Sequence, residues 1–200
     1  MRVLLLDNYD SFTFNLFHYL EANEVEVEVY RNDEISIDSA LLFDAIILSP
    51  GPGLPKDAGI MPQLLQQLSE DTPVLGVCLG LQAIVETFSG SLKNLDQVLH
   101  GQSTSARIVI EDDTLFKNIS SPFQVGHYHS WAADIIGDDL EVTAINDDGV
   151  VMAIRHKSRP ISAVQFHPES VLTPCGMQMI TNWCESVKQT IFSKTYEKNY

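Results

Sequence analysis

Short apolar runs recur along the first 90 residues, and most are followed by a segment with helical spacing. Wholly apolar runs favour strands that are covered on both faces. Apolar residues that recur every three or four positions are typical of amphipathic helices. The predicted elements are strand Val3–Leu6, helix Phe12–Leu20, strand Val25–Val29, strand Ala45–Leu48, a helix around Leu64–Leu68, strand Val74–Val77 and helix Leu79–Phe88.

The first helix and the second strand carry further local signals. Asp10 or Ser11 can cap the helix, because short polar side chains accept hydrogen bonds from free helix amides. The strand Val25–Val29 alternates valine with glutamate, which indicates one polar face and a position near a sheet edge. Strands that alternate with helices favour a parallel sheet, so the sequence predicts the α/β class.

The pattern changes after about residue 100, where strands follow one another without helices between them. Turn residues separate several of these strands, which indicates antiparallel additions to the same core. A helix over Gly176–Phe192 is expected to close the domain. The predicted strands here are Ala106–Ile110, Phe123–Gly126, Leu140–Ile145, Val150–Arg155 and Ile161–Phe166.

We therefore expect an open, mostly parallel sheet flanked by helices, with added antiparallel strands. A chain of 200 residues with 44% hydrophobic and 20% charged residues suits one globular domain. That domain is expected to cover residues 1–193, and residues 194–200 are expected to form a polar tail that frays.

Charge and cysteine usage narrow the class of protein. The net charge is −15 and the 12 basic residues are scattered, so no nucleic-acid partner is expected. No apolar run approaches a membrane span, and Asp7 interrupts the apolar N-terminal run, so neither a membrane partner nor a signal peptide is expected. Cys78, Cys175 and Cys184 fit neither a disulfide framework nor a zinc knuckle. The sequence predicts a cytoplasmic enzyme or binding domain.

The stretch Gly76-Val-Cys78-Leu-Gly80 lies between a predicted strand and a predicted helix. It has the form of a nucleophile elbow, in which small neighbours allow a tight turn that presents the nucleophile at the sheet edge. The start of the following helix favours a thiolate, and the amide of Leu79 lies where an elbow supplies an oxyanion donor. Alternatively, Cys78 packs as a small hydrophobe.

A thiol nucleophile needs a base, and the base needs an orienting group. His167 follows the strand Ile161–Phe166, and Pro168 keeps its neighbours extended, so Glu169 can project towards the imidazole. The alternatives are a surface histidine beside a capping glutamate, or a metal pair for which no third ligand stands out. His127 and His129 also have His-x-His spacing, but alternation in a strand produces it without a metal.

A third motif, Pro50-Gly51-Pro52-Gly53, follows the strand Ala45–Leu48. Open α/β sheets place ligands at such strand ends, and a stiff turn with exposed amides could complete an oxyanion hole. A plain turn is the alternative.

Together these motifs resemble the signature of the class I (triad-type) glutamine amidotransferases: a Pro-Gly-Pro-Gly loop, a Gly-x-Cys-x-Gly-x-Gln elbow and a His-Pro-Glu sequence. The resemblance covers nearly the whole chain. It implies that glutamine is hydrolysed through a cysteinyl thioester, with no metal or organic cofactor. The residues that it implies are the nucleophile Cys78, the base His167, its orienting residue Glu169, the oxyanion-hole amides of Gly53 and Leu79, and the substrate-binding residues Gly51, Pro52, Gly53, Gln82, Ser130 and Trp131.

The opening Asp7-Asn-Tyr-Asp10-Ser-Phe-Thr13 is similar to one branch of this family, the small subunits of anthranilate synthase and aminodeoxychorismate synthase. His100-Gly101 and Tyr128-His129-Ser130 fit the same branch. The resemblance implies that ammonia passes to a separate chorismate-binding synthase subunit. Tryptophan biosynthesis is favoured over folate biosynthesis, or one subunit serves both. The further alternatives are an amidotransferase of nucleotide synthesis and a non-catalytic regulatory domain.

Four positions depart from the branch pattern, and none belongs to the implied triad. They are Leu81 (commonly His), Gln102 (commonly Lys), His127 (commonly Arg) and Trp131 (commonly Leu). We expect Gln102 and His127 to weaken a charged contact to the synthase or to change its pH dependence.

Overall fold

The structure is a computed structural model that describes residues 1–197, except for the side chains of residues 96–99 and 194–197. Its strands form one sheet in the order β2-β1-β3-β4-β9-β8-β7-β5-β6. The strands are β1 (Arg2–Asp7), β2 (Glu26–Arg31), β3 (Ala45–Leu48), β4 (Val74–Val77), β5 (Ser91–Ile108), β6 (Phe123–Ile135), β7 (Leu140–Asn146), β8 (Val151–His156) and β9 (Ile161–Val164). The helices are α1 (Thr13–Ala22), α2 (Ile37–Ala40), α3 (Met61–Gln67), α4 (Leu79–Thr87) and α5 (Gly176–Glu197).

The sheet has a parallel half and an antiparallel half. Strands β2, β1, β3, β4 and β9 pair in parallel, whereas β8, β7, β5 and β6 extend the sheet in antiparallel pairs. The α/β prediction, with parallel strands flanked by helices and antiparallel additions, is confirmed. β2 forms one edge, as its alternating glutamates predicted.

Helices cover both faces of the inner parallel strands, which is why the interiors of β1, β3 and β4 are apolar. Residues of α1 and α5, such as Leu20 and Trp183, pack with Leu5 on one face. Residues of α3 and α4, such as Leu64 and Ile84, pack on the other face. This two-sided burial is the main source of hydrophobic stabilisation. It also fixes the strand ends that carry the candidate motifs.

Several predicted boundaries were wrong. β5 and β6 are much longer than the predicted segments Ala106–Ile110 and Phe123–Gly126, because most of the hairpin is polar and lacks an apolar signal. β9 ends at Val164, before the predicted Phe166. α5 continues to Glu197 instead of ending at Phe192. The predicted polar tail, 194–200, lies partly outside the described residues, so that domain boundary stays a prediction.

The predicted side-chain cap of α1 was also wrong. Phe12 occupies the cap position, and no side chain bonds to a helix amide there. The Asp10 carboxylate instead accepts from the Phe12 amide at 2.8 Å. Asp7 organises the preceding turn, since its Oδ1 accepts from the Asp10 amide and from the Thr13 hydroxyl. The chain therefore enters the helix later than the capping rule predicted.

None of the described helices combines the length and the apolar composition needed to cross a bilayer.

Candidate active site

Cys78 occupies a strained turn between β4 and α4. Its φ is 53° and its ψ is −100°, a conformation that is rare for any residue except glycine. The Cys78 amide donates to Val164 O of β9 at 2.8 Å, which ties the turn to the neighbouring strand. A Cβ on Gly80 would lie 2.6 Å from Leu48 O, and one on Gly76 would lie 2.7 Å from the Gly80 carbonyl carbon. Both glycines therefore allow a close approach that a larger residue would prevent.

His167 and Glu169 face each other at the end of the adjacent strand β9. His167 Nδ1 lies 2.6 Å from Glu169 Oε1, and both side chains are buried. Burial opposes the charge on His167, but Cys78 and Glu169 outweigh it and raise the pKa of His167 to about 10. His167 therefore carries a second proton at neutral pH. That proton belongs on Nε2, because Nδ1 faces Glu169; Nε2 is buried and has no hydrogen-bond partner within the described part of the chain.

The backbone and ring of His167 are held from several sides. The His167 amide donates to Gly126 O at 3.0 Å, and the Thr173 hydroxyl donates to His167 O at 2.7 Å. The rings of Phe12 and Tyr128 meet the imidazole edge-on, with centroids 5.8 Å and 4.9 Å away. These contacts limit rotation of the imidazole away from Cys78.

The Gly51–Gly53 loop rests on the buried side chain of Asn8. The Asn8 amide donates to Ser49 Oγ, and Asn8 Nδ2 donates to Ser49 O, each at 2.8 Å. A Cβ on Gly51 would lie 2.5 Å from Asn8 O, so only glycine allows this approach. Gly53 has a φ of +78°, which also favours glycine. One side of the loop is thus held by Asn8. Its other side borders the cavity that Cys78 also lines.

A cavity of about 130 Å³ joins the glycine loop and the cysteine elbow, whereas His167 and Glu169 do not line it. It brings together every substrate-binding residue that the sequence predicted, and Leu79 follows directly as the first residue of α4. The lining residues are Gly51, Pro52, Gly53, Cys78, Gln82, Tyr128, His129, Ser130 and Trp131. A larger cavity of about 380 Å³ lies at the other end of β9, but none of the motif residues lines it.

Sequence reasoning missed Gln165, whose carboxamide contacts both Cys78 and Gln82. Gln165 Nε2 donates to Cys78 Sγ at 3.7 Å, and Gln165 Oε1 lies 3.5 Å from Gln82 Nε2. Gln82 Nε2 also donates to Trp131 O at 3.0 Å. A glutamine inside the apolar segment Ile161–Phe166 was a usable signal, because a buried amide requires hydrogen-bond partners.

The structure contradicts the expected effect of His127 on a surface contact. His127 is completely buried, so it offers no charged contact to a partner, and Leu81 is also buried. Gln102 is exposed on β5, as a contact residue would be. His127 takes part instead in a chain of buried hydrogen bonds that ends at Trp131.

Asp10 lies beside His167 and Glu169 and is a third possible metal ligand, which the sequence did not reveal. One ligand atom each of Asp10, His167 and Glu169 lies within 4.8 Å of the others. The hydrogen bonds already explain this cluster, since His167 binds Glu169 and Asp10 binds the Phe12 amide. A metal ion would have to break the 2.6 Å bond between His167 and Glu169.

An elbow cysteine beside a buried histidine–glutamate pair defines a site for nucleophilic chemistry on a carbonyl group. The family model described as Glutamine amidotransferase class-I matches residues 4–187, so the chain belongs to that family.

Individual relatives point to one branch. The chain is 44% identical over 191 residues to "Anthranilate synthase component 2" of Lactococcus lactis, covering 94% of this chain and 96% of that protein. It is 42% identical over 194 residues to "Anthranilate synthase beta subunit 2, chloroplastic" of rice, covering 93% and 71%. It is 43% identical to the "Multifunctional tryptophan biosynthesis protein" of Phycomyces blakesleeanus, of which it spans only 24%.

A solved structure of a putative GMP synthase component from Thermoplasma acidophilum has a TM-score of 0.86 to this chain. It is 23% identical, and the match covers 99% of this chain and 98% of that one. This likeness shows the fold alone.

Proposed function

We propose that this chain hydrolyses L-glutamine and delivers the ammonia to a separate chorismate-binding synthase subunit, as component II of anthranilate synthase. The observation that carries the proposal is the single cavity in which Cys78, the Gly51–Gly53 loop and Gln82 meet, beside the His167–Glu169 pair. The names of the relatives in Lactococcus and rice support the anthranilate pathway over the folate pathway.

The first half-reaction uses the proton held on His167. The Cys78 thiolate attacks the side-chain carbonyl carbon of glutamine, and the amides of Gly53 and Leu79 stabilise the oxyanion. His167 Nε2 then gives its proton to the amide nitrogen. The C–N bond breaks, ammonia leaves, and a glutamyl thioester remains on Cys78. Glu169 keeps the imidazole oriented throughout.

The second half-reaction regenerates the enzyme. The now neutral His167 Nε2 takes a proton from water, and the resulting hydroxide adds to the thioester carbonyl. The oxyanion hole serves again, the C–S bond breaks, and the Cys78 thiolate leaves from glutamate. Its departure restores the thiolate–imidazolium pair.

Gln82, Ser130 and the backbone of Trp131 are proposed to hold the amino-acid end of glutamine. Gln82 Nε2 donates to Trp131 O, which leaves Gln82 Oε1 as an acceptor for the substrate ammonium. The cavity thus places an acceptor for the substrate ammonium, Gln82 Oε1, in the same space as Cys78.

Delivery of ammonia requires a partner at the mouth of the cavity, because free ammonia is mostly protonated at neutral pH and is then not nucleophilic. The proposed docking surface is the Asn8–Asn15 segment together with the cavity mouth. Two apolar side chains of that segment are exposed, Tyr9 at 50% and Phe14 at 59%, and so is Val171, two residues after Glu169, at 93%. The unpaired cysteines support a reducing compartment, and we propose the cytoplasm.

The test is reconstitution with chorismate-using synthase subunits and either glutamine or ammonia as the nitrogen source. Cys78→Ser should abolish glutamine-dependent synthesis and leave ammonia-dependent synthesis intact. Cys175→Ser is the matched control, since Cys175 is also a free thiol but lies outside the cavity. Glutamine-dependent activity that survives in Cys78→Ser would disprove the nucleophile assignment. Formation of aminodeoxychorismate instead of anthranilate would reassign the pathway.

A further inference from the structure

A buried chain of hydrogen bonds runs from β5 through β6 to the cavity. Thr104 Oγ1 lies 2.7 Å from His127 Nε2, His127 Nδ1 lies 3.0 Å from His129 Nε2, and His129 Nδ1 lies 2.9 Å from Trp131 O. The exposed fractions of His127 and His129 are 0% and 4%. The first three residues of this chain are not assigned to the chemistry proposed above.

The chemistry of the end group sets the direction of every bond in this chain. Trp131 O is a carbonyl and only accepts, so His129 Nδ1 must carry a proton. A neutral His129 then accepts at Nε2, so His127 donates from its own Nδ1. His127 Nε2 is left as an acceptor for the Thr104 hydroxyl. When both histidines are neutral, each therefore carries its proton on Nδ1.

The surroundings favour these neutral forms. Burial comes first, and for His127 the neighbouring charge of His167 adds to it, so the pKa of His127 falls to about 4. Burial and the neighbouring His127 lower the pKa of His129 to about 4, although its bond to Trp131 O opposes this. Around the pair, β5 contributes the neutral Thr104, and the segment after β9 contributes the imidazolium of His167. A second positive charge beside His167 is thus disfavoured.

Trp131 O also accepts from Gln82 Nε2 at 3.0 Å, so both of its lone pairs are occupied. We propose that His127 is a positioning residue for glutamine binding. It acts through His129, which fixes the Trp131 carbonyl and with it the orientation of the Gln82 carboxamide. This inference rests on the proposed function for its substrate. It gives a role to a position where the branch commonly has arginine.

A matched pair of substitutions isolates the hydrogen bond from the packing. Asparagine and leucine side chains have the same branched shape and the same number of heavy atoms, but only asparagine can donate to His129 Nε2. In the reconstituted complex, His127→Leu should raise KM for glutamine about tenfold, the cost of one buried hydrogen bond. Its kcat should change by less than about twofold, because the reacting groups are untouched. His127→Asn should keep KM within about twofold of the parent, because it retains the donor.

The outcomes distinguish a positioning role of His127 from a role in protein stability alone. A merely structural role would move both variants alike, so equal KM values for His127→Leu and His127→Asn would overturn the proposal. An effect on kcat instead of KM would also overturn it. Ammonia-dependent synthesis in the same complexes reports that each variant is folded and assembled.

Nitrogen-15 NMR of the histidine rings tests the hydrogen-bond chain without any glutaminase activity. The full chain labelled at histidine should show His127 and His129 as Nδ1–H tautomers, each assigned by the loss of its signals on substitution. A proton on Nε2 of either ring would overturn the inference even if glutamine hydrolysis is established. Conversely, the tautomers remain measurable if Cys78→Ser disproves the glutaminase proposal.

Discussion

His167 keeps its proton because two groups outweigh the cost of burying a charge. Glu169 binds Nδ1 at 2.6 Å, and Cys78 acts on the other side of the ring. The pKa of about 10 means that the proton needed by a leaving amine is in place before substrate arrives. A neutral resting histidine would first have to collect that proton from the thiol.

Glu169→Gln should therefore move the alkaline limit of activity to lower pH. The carboxamide removes the negative partner, so the pKa of His167 falls below about 10 and the imidazole loses its proton earlier as pH rises. We expect the alkaline limb of kcat to shift by at least about one pH unit, which corresponds to about 1.4 kcal/mol. The measurement is kcat of the glutamine-dependent reaction from about pH 7 to about pH 11.

Asp10→Asn is the control for that variant. Asp10 lies in the same cluster but binds the Phe12 amide, and an asparagine oxygen can replace it there. Its pH profile should stay close to that of the parent. If both variants shifted the alkaline limb equally, nearby negative charge in general, and not the bond from Glu169, would set the protonation of His167.

At the residue scale, sequence spacing predicted which side chains meet in the cavity but not what supports them. His167, Pro168 and Glu169 are consecutive, so their local geometry could be inferred from the chain itself. Gln165 and His127 find their side-chain partners on other elements of the fold, so sequence spacing did not identify them, although the position of Gln165 in an apolar segment was a signal. His127 was expected to affect a charged contact because the branch commonly has arginine at that position, and a histidine by itself gives no indication of burial.

The element that fixes Cys78 is α4, whose first turn approaches β3 through Gly80. Gly80→Ala should destabilise the protein by at least about 2 kcal/mol, because the new Cβ meets the Leu48 carbonyl and the backbone must shift. Urea denaturation measures this difference. Reactivity of Cys78 towards iodoacetamide should also change, since the displaced helix carries the elbow with it.

Gly149→Ala provides the comparison for that substitution. Gly149 has a φ of +77° and nothing within 4 Å of its added Cβ, so the change adds backbone strain without a steric clash. We expect a cost of about 1 kcal/mol and an unchanged Cys78. A loss of stability in Gly80→Ala no greater than in Gly149→Ala would show that α4 adjusts freely.

Strands that are buried on both faces could be predicted from their runs of apolar residues. β1, β3 and β4 are apolar over most of their length, and they were placed within one or two residues. The hairpin β5–β6 was mostly missed because its residues are largely half-buried or exposed and its register shifts in several places. Where one face is not clearly apolar, pairing partners decide the strand, and local pattern cannot reveal them.

For the whole molecule, four histidines with shifted pKa values favour a maximum in stability near pH 6.5. Burial lowers the pKa of His156, which therefore acts in the same direction as His127 and His129. His127 and His129 have folded pKa values below the ordinary 6.5, so stability is lost as pH falls from 6.5 towards about 4. His167 has a raised pKa, so its contribution is complete below 6.5 and is lost as pH rises through about 10. Each proton contributes a slope of up to about 1.4 kcal/mol per pH unit.

The free energy of unfolding, measured by urea denaturation across this pH range, tests that expectation. His127→Asn removes one buried histidine. Below pH 6.5, the slope of the unfolding free energy against pH should therefore decrease by the contribution of about one proton. Above pH 6.5, the slope of the unfolding free energy against pH should stay the same, because His167 is retained. An acid slope that is identical in parent and variant would mean that His127 is not held neutral.

The position of β9 between β4 and β8 also orders events during synthesis on the ribosome. Cys78 leaves the ribosome long before Val164, which accepts the hydrogen bond of its amide, and before His167. A growing chain therefore exposes a cysteine that has neither a finished turn nor a base. Until His167 has been translated, the chain lacks the proposed base, so the proposed reaction with glutamine requires most of the protein to have been made.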